Sequence, residues 1–149
     1  MSFLDDIFAS LEKRADTAVL QEIRDGRISA ITGNELLNQV GRARAFLAAQ
    51  GLRKGDRCAL YAHNGVRWVA LDLAVMAEGL IVVPLYARQA PAELAAMMKD
   101  CSPVLICCGD GAIRDGLLKE WPDAPPHWDP ELRPVDSARC PSPPSCCRQ

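Results

Sequence analysis

Residues 51–85 carry, in order, the signals of a complete β–α–β unit. A turn at Lys54-Gly55-Asp56 precedes an apolar run at 58–62, and a second apolar run at 80–85 follows Gly79. Residues 64–78 between the runs are long enough for a crossover helix. Strands joined by a helix in this way lie parallel in one sheet. The segment therefore restricts the chain to an α/β architecture.

The same alternation continues beyond residue 85. A helix is predicted at 91–100, where Pro91 suits the first turn, and a third apolar run follows at 104–108. The three runs are almost continuously apolar, which is typical of strands covered on both faces. Asn64 is the predicted N-cap of the first crossover helix. A short helix is predicted at 113–120.

The residues before this unit predict a helix and a hairpin. Apolar residues at helical spacing indicate a helix at 2–14, and Asp25-Gly26 is a type I′ turn signal between strands at 18–24 and 27–31. Thr32 and Glu35 form a capping box that opens a helix ending at Gly51. The predicted fold class is therefore α/β, a partial parallel sheet with crossover helices, preceded by an N-terminal helix and a β-hairpin.

The composition changes after Trp121. Eight of the 11 prolines fall in residues 122–149, where no periodic apolar segment remains. We therefore expect a folded unit at 1–121 and a Pro/Cys/Ser-rich disordered tail at 122–149. The residues from 138 onward are rich in Pro, Cys, Arg and Ser, as GC-rich codons produce when they are translated out of frame. We hypothesise that the tail is a frameshift product or a premature end.

Charge and hydropathy exclude several classes of partner. A net charge of −2 gives no reason to expect nucleic acid. No apolar run approaches the length of a membrane span, and the acidic N-terminus lacks the pattern of a signal peptide. The expected location is the cytoplasm, where thiols stay reduced.

The seven cysteines do not have the spacing of a metal site. Cys58, Cys101, Cys107 and Cys108 lie in or beside apolar runs and are interpreted as small hydrophobic residues. The other three lie in the tail, at Cys140, Cys146 and Cys147. Neither His63 nor His127 completes a zinc pattern. We therefore predict no metal site.

Motifs for phosphate binding or nucleophilic catalysis are absent from the sequence. There is no Gly-x-x-x-x-Gly-Lys-Ser/Thr loop and no Gly-x-Ser-x-Gly elbow. Residues 109–114 match two of the three glycines in the dinucleotide-binding fingerprint Gly-x-Gly-x-x-Gly. Arg114 replaces the third glycine, which close packing of the helix against the strand requires. A plain turn is the preferred interpretation, and a dinucleotide-binding domain is the weaker one.

Some polar and aromatic residues near the predicted strand ends have structural interpretations. His63 and Asn64 fall at the carboxyl end of a strand, where ligands gather in α/β sheets, yet shaping a strand–helix turn also explains them. Trp68 is interpreted as a packing anchor, and Asp56 as closing its turn. Three further residues, Arg67, Arg88 and Asp72, are expected on exposed surface.

The order of these signals resembles the start of the adenylate-forming (AMP-dependent synthetase and ligase) superfamily. The matching pieces, in this order and spacing, are Thr32-x-x-Glu35-Leu36, the run 51–60, Asn64-x-x-x-Trp68-Val69, Gly79-x-x-Val82-Val83-Pro84-Leu85 and Pro91-x-Glu93-Leu94. The set looks most like fatty acyl-CoA synthetases and covers roughly residues 15–110. Val66-Arg67 and Glu78 depart from the family's usual Pro-Glu and Ala.

The resemblance implies an activity that this chain alone lacks the residues to perform. Such enzymes join a carboxylic acid to AMP from ATP and pass the acyl group to a thiol, so the full-length family implies ATP, Mg²⁺ and coenzyme A. The family's Pro-Lys-Gly loop, its aromatic-Gly-x-Thr-Glu segment and the Lys of its C-terminal domain do not occur here. We therefore predict no catalytic, cofactor-binding or metal residue in this chain.

Two hypotheses follow. The chain is either the N-terminal portion of a fatty acid–CoA ligase, truncated and inactive alone, or a non-catalytic α/β module that binds a partner or small ligand. An incomplete sheet exposes apolar surface, which predicts self-association.

Overall fold

The computed structural model describes residues 2–128. Its elements, in chain order, are α1 (Phe3–Lys13), β1 (Ala18–Arg24), β2 (Arg27–Thr32), α2 (Gly33–Ala49), β3 (Arg57–Ala62), α3 (Val66–Ala77), β4 (Ile81–Tyr86), α4 (Pro91–Cys101), β5 (Leu105–Cys108), α5 (Gly111–Glu120) and β6 (His127–Trp128). The α/β fold class and each helix and strand predicted up to residue 120 are confirmed, with bounds that shift by one or two residues.

Local turn chemistry forms the N-terminal hairpin. Asp25 and Gly26 both have positive φ, 50° and 73°, as a type I′ turn requires. The turn places β1 and β2 antiparallel, with Ile23 opposite Ile28 and Arg24 opposite Arg27. The two strands form a separate two-stranded sheet.

Reciprocal caps begin the first two helices. The Thr32 hydroxyl accepts a hydrogen bond from the Glu35 backbone N–H at 3.3 Å, and the Glu35 carboxylate accepts one from the Thr32 N–H at 2.8 Å. The predicted capping box is therefore confirmed. Ser2 and Asp5 form a second capping box at the start of α1, which was not predicted.

The main sheet has the strand order β4-β3-β5-β6, and all of its pairs are parallel. Alternate residues of its central strands enter two separate cores. Cys58 and Leu60 of β3 face α1, α2 and α3, whereas Ala59 and Tyr61 face α4 and α5. This two-sided burial explains why the strand sequences are apolar without alternation.

β4 differs from the prediction that all three apolar runs are covered on both faces. It is an edge strand, and of its six residues only Leu85 is buried. The Ile81 N–H donates to the Asp56 carbonyl at 2.8 Å, so Ile81 faces β3 and alternation turns Pro84 toward the open side. Proline has no N–H to donate, so an outward edge position accommodates it.

The segment after Trp121 also differs from its prediction. Residues 127–128, which were assigned to a disordered tail, form β6 and pair in parallel with Ile106 and Cys107 of β5. The Ile106 N–H donates to the Pro126 carbonyl at 3.1 Å, which leads the chain into this pairing. The remainder of the predicted tail, 129–149, lies outside the described residues.

Candidate functional site

A cleft lies where two neighbouring strands continue into opposite faces of the main sheet. β3 leads into α3, which packs in the first core with α1 and α2, whereas β5 leads into α5, which packs in the second core. In open α/β sheets, ligands bind at such a switch point, outside the carboxyl ends of the strands. The loops 63–65 and 109–110 border this crevice.

The hairpin and α3 form the walls of the cleft. Its volume is ≈ 630 Å³, within the range of small-molecule pockets. The lining residues are Leu20, Gln21, Glu22, Ile23, Arg24, Ala62, His63, Asn64, Gly65, Val66, Arg67, Trp68, Val69, Leu71, Gly109 and Asp110. The cleft thus combines an apolar floor with a mixed-charge rim.

Glu22 joins the hairpin to the N-terminus of α3. Its carboxylate accepts a hydrogen bond from Arg24 Nε at 2.6 Å, and the Glu22 side chain is only 20% exposed. A Cβ added at Gly65, the N-cap of α3, would lie 2.7 Å from Glu22 Oε1. The carboxylate therefore sits beside the positive end of the helix dipole, where a negative charge is favourable.

The N-cap of α3 is Gly65, so the prediction that Asn64 caps this helix is wrong. No side chain makes a capping hydrogen bond there. The helix starts one residue later than propensity suggests, at a position where the Glu22 carboxylate of the hairpin occupies the volume that a Cβ would need. The φ of Gly65 is 174°, which is extended backbone open to any residue, so strain plays no part.

The segment 109–111 forms a strand–helix turn, as the preferred interpretation expected. The Gly109 N–H donates to the Tyr61 carbonyl at 2.9 Å, and a Cβ at Gly109 would lie 2.7 Å from the Ala62 Cβ. Asp110 is the N-cap of α5, and its Oδ1 accepts from the Ile113 N–H at 2.8 Å. The Asp110 carboxylate thus occupies the helix N-terminus that a phosphate uses in dinucleotide-binding folds.

His63, Asn64 and Trp68 all line the cleft. His63 and Asn64 are exposed, whereas Trp68 is half-buried and packs against the first core, which confirms its role as a packing anchor. None of the described residues that line the cleft is a Ser, Thr, Cys or Lys. The site offers apolar and mixed-charge contacts for binding, without a nucleophile of these types.

Of the other singled-out polar residues, only Arg67 lines the cleft. Asp56 Oδ2 accepts from the Arg53 N–H at 2.8 Å, so its predicted role in closing the turn is confirmed. Arg88 is exposed, as expected, and Arg67 at the cleft rim is exposed too. Asp72 was expected on an exposed helix face, but it is half-buried, and burial raises the pKa of its carboxyl.

The cysteines of the main sheet pack as core residues, as predicted. Cys58, Cys107 and Cys108 are not in disulfides and have no exposed surface, and Cys101 is half-buried. The sulfur atoms of Cys58 and Cys107 lie 3.6 Å apart across β3 and β5. The hydrogen bond with Cys58, together with burial, raises the pKa of the Cys107 thiol well above its usual value, so Cys107 stays protonated at neutral pH.

Glu22 and Arg24 were missed by sequence reasoning, although a signal for them exists. Leu20 packs against the first core, and residues two apart on a strand share a face. The alternation Leu20, Glu22, Arg24 therefore directs both charged side chains toward the body of the molecule. Finding what they meet requires the position of Gly65, which is 43 residues beyond Glu22.

Two searches of the described residues concern membranes and metals. No helix within residues 2–128 is both long and apolar enough to cross a bilayer. Over the same residues, no three His, Cys, Asp or Glu side chains converge in a way that could hold a metal ion.

Similarities to known proteins identify the class to which this fold belongs. A benzoate CoA ligase from Burkholderia xenovorans LB400 superposes with a TM-score of 0.72 at 19% identity, over 87% of this chain and 25% of that one. The architecture is that of the N-terminal domain of adenylate-forming enzymes.

The sequence comparisons then give the family. The family model described as AMP-binding enzyme matches residues 7–140, and the chain belongs to that family. Acetyl-coenzyme A synthetase of Syntrophobacter fumaroxidans is 34% identical over 109 residues, 72% of this chain and 17% of that synthetase. Long-chain-fatty-acid–CoA ligase FadD15 of Mycobacterium bovis is 28% identical over 91 residues, 61% of this chain and 15% of that ligase. The resemblance stated from the sequence is confirmed.

The chain spans less than a fifth of the length of these two curated relatives. Only a part of each relative's architecture is therefore represented in this sequence.

Proposed function

We propose that this chain is the N-terminal part of the scaffold of a fatty acid–CoA ligase and is inactive by itself. The observation that carries the proposal is the family match over residues 7–140 on a fold that superposes with a CoA ligase. The whole enzyme would convert a carboxylic acid and ATP into an acyl adenylate and pyrophosphate, and would then transfer the acyl group to coenzyme A.

The chemistry of acyl-adenylate formation defines what the rest of the proposed enzyme must provide. A carboxylate is a poor electrophile until one of its oxygens becomes a good leaving group, which attachment to AMP achieves. Reaching that intermediate requires aligned reactants and stabilisation of the charge on the transferring phosphoryl group. Loops bearing cationic side chains and hydrogen-bond donors meet these needs in acyl-adenylate formation.

The residues that line the cleft do not fit a Mg²⁺–ATP site. Of the two carboxylates in the cleft, Glu22 is paired with Arg24 beside α3, and Asp110 caps α5. Mg²⁺ binding needs carboxylate oxygens that are open to the ion and to phosphate. This commitment of both carboxylates supports a scaffolding role, with the reaction carried by parts of the enzyme outside this sequence.

An exchange assay tests the proposal. Purified chain is incubated with ATP, Mg²⁺, labelled pyrophosphate and either a long-chain fatty acid or acetate, with a full-length CoA ligase as positive control. We expect no exchange above a no-protein blank. Fatty-acid-dependent exchange by the chain alone would refute the proposed inactivity.

The proposal has two further parts, the acid substrate of the whole enzyme and the origin of the tail. We propose a fatty acid because of the similarity to a long-chain-fatty-acid–CoA ligase, while an acetyl-coenzyme A synthetase also matches. Genomic DNA beyond codon 137 tests the frameshift or premature end proposed for the tail. A downstream frame that encodes a Ser/Thr/Gly-rich loop supports truncation, and its absence contradicts it.

The cleft favours a second candidate, a non-catalytic binding module. Because Trp68 lines the cleft, a ligand there should change the indole fluorescence. Titrations with ATP, coenzyme A and fatty acid are compared between the wild type and Trp68→Phe, which retains Trp121 and Trp128 as controls. A saturable change lost in Trp68→Phe supports the module, whereas no saturable change excludes these three ligands.

A further inference from the structure

Both strands of the hairpin are edge strands, and the edge of β2 has the longer exposed run. A two-residue turn closes with a hydrogen bond between the residues that flank it, here Arg24 and Arg27. Antiparallel pairs alternate between hydrogen-bonded and non-hydrogen-bonded positions. Ile28 and Ala30 therefore occupy non-hydrogen-bonded positions of β2, with their N–H and C=O groups directed outward.

The edge of β2 is exposed, and its two outward-facing residues, Ile28 and Ala30, are apolar. The first four residues of β2 are exposed, Ile28 to 68%, and its cross-strand neighbour Ile23 is 73% exposed. Within residues 2–128, neither Ile28 nor Ala30 forms a backbone hydrogen bond with another element. Natural edges are blocked by devices such as proline, lysine or coverage, because open edges pair with other chains.

The contrast with β4 shows that β2 lacks such protection. β4 is also an edge strand with exposed apolar side chains, Ile81 and Tyr86, but Pro84 removes an outward N–H from its middle. The four exposed residues of β2, 27–30, contain no proline and no lysine, and their one charged residue, Arg27, lies at the end of the edge beside the turn. Within residues 2–128, strand addition is therefore hindered at the middle of β4 and open at the middle of β2.

We propose that β2 pairs with β2 of a second copy of this chain, antiparallel and centred on Ser29. In this register Ile28 lies opposite Ala30 of the second copy, and the two outward-facing residues of each chain exchange four backbone hydrogen bonds. The two hairpins then form one four-stranded sheet. This inference concerns association and does not depend on the proposed enzymatic relationship.

Self-complementarity favours a second copy as the occupant. The edge matches itself when reversed, because its outward groups are spaced symmetrically about Ser29. Arg27 falls opposite Ile31 of the second copy and not opposite another Arg27, so like charges do not oppose each other. The side chains of Ile23 and Ile28 continue across the join to Ala30 of the second copy on one face.

The size of the contact sets the expected strength. Only one short strand from each copy takes part, so the interface belongs to the small, weak class. We expect a reversible dimer that is monomeric at low micromolar concentration and visible toward the millimolar range. Measurements need a reducing agent, which prevents disulfides between the chain's cysteines from mimicking this dimer.

Sedimentation velocity with Ala30→Pro tests the edge. Proline at position 30 removes an outward N–H from each copy, two of the four bonds, and leaves the bonds between β1 and β2 untouched. We expect dimerisation to weaken about tenfold or more. Ala30→Val, which keeps the N–H, is the matched control and should dimerise like the wild type.

A cross-link provides a second test that is independent of the proline variant. In the proposed register Ser29 faces Ser29 of the second copy at a non-hydrogen-bonded pair, where the Cα atoms lie about 4.5 Å apart, within disulfide range. Ser29→Cys oxidised with diamide should form a 29–29 cross-link, identified by peptide mapping. Arg27→Cys on the same strand should not form a 27–27 cross-link.

Three results would overturn the proposal. They are a wild type that stays monomeric up to millimolar concentration, a dimer equally strong in Ala30→Pro, and efficient cross-linking of Arg27→Cys without that of Ser29→Cys. Circular dichroism confirms that each variant is folded. Cross-linking to a different protein in a mixture, without 29–29 products, would assign the edge to another partner and refute the second copy.

Discussion

The hairpin β1–β2 and the central strands β3 and β5 all contain apolar residues, but their surroundings are opposite. All residues of β3 after Arg57 and all four of β5 are buried, whereas the first four of β2 are exposed. The central strands are stabilised by burial on two faces. The hairpin relies on its I′ turn, on the packing of Val19, Leu20 and Ile31, and on Glu22 beside α3. The contribution of a strand to stability therefore depends on its surroundings more than on its being a strand.

The largest expected effect is the loss of a central side chain. Leu60→Ala should lower the free energy of unfolding by about 2–5 kcal/mol, because Leu60 is fully buried and its removal leaves a cavity. Ile23→Ala on the exposed hairpin should change it by less than about 0.5 kcal/mol. Urea denaturation at low protein concentration measures both. Equal losses would show that the two regions do not differ in this way.

Substitution of two glycines by alanine compares a rigid contact at Gly109 with a flexible one at Gly65. Gly109→Ala would place a Cβ 2.7 Å from the Ala62 Cβ and 3.0 Å from its Cα, so backbone must move, at a cost of about 1–3 kcal/mol. Gly65→Ala meets the end of the Glu22 side chain, which can rotate away, so a smaller loss is expected.

Gly41→Ala is the matched control for both glycine substitutions. Nothing lies within 4 Å of a Cβ at this exposed position in α2, so we expect a gain of about 0.5–1 kcal/mol. Thermal and urea unfolding of the three variants give the order. A Gly65→Ala loss as large as that of Gly109→Ala would mean that the hairpin contact is as rigid as the sheet.

Loss of the capping box between the hairpin and α2 should lower the free energy of unfolding by a moderate amount. Thr32→Ala removes the hydroxyl that accepts from the Glu35 N–H and should cost about 1 kcal/mol. Thr32→Ser retains this oxygen and should stay close to the wild type. Chemical denaturation distinguishes them, and an equal loss in both variants would assign the effect to the threonine methyl group.

The smallest expected effect depends on pH. Burial raises the pKa of Asp72 on α3, so the folded state binds a proton more tightly than the unfolded state. Stability from this group therefore falls as pH rises from the unfolded value through the folded pKa. Asp72→Asn should be more stable than the wild type at neutral pH, and the difference should vanish as pH falls to the ordinary carboxyl pKa of 3.8 and below. A difference constant over this range would exclude titration of Asp72 as its cause.

Sequence signals are sufficient for the local elements but not for contacts between distant segments. Asp25-Gly26, the Thr32–Glu35 capping box and the glycines at 51 and 79, both with positive φ, each act through neighbours only, and all were predicted. All three apolar strands were predicted to be covered on both faces, yet β4 is an edge strand. Strand order depends on the direction that each crossover connection takes, which the strand sequences do not contain.

The cleft was predictable only in part. The polar residues after β3 indicated a site at the carboxyl edge, and His63 and Asn64 do line it. The cap at Gly65 was assigned to Asn64 because propensity favours asparagine, whereas the contact with Glu22 comes from a hairpin more than 40 residues earlier. β6 was missed because a two-residue strand has too little sequence for a periodic signal.

The buried thiols of the central strands make the opening of the main sheet chemically measurable. Cys58, Cys107 and Cys108 have no exposed surface, so an alkylating reagent can reach them only when β3 or β5 separates from its neighbours. Their modification rates then report the free energy of that local opening, as amide exchange does for backbone. Half-buried Cys101, at the end of α4, supplies an internal reference from outside the sheet.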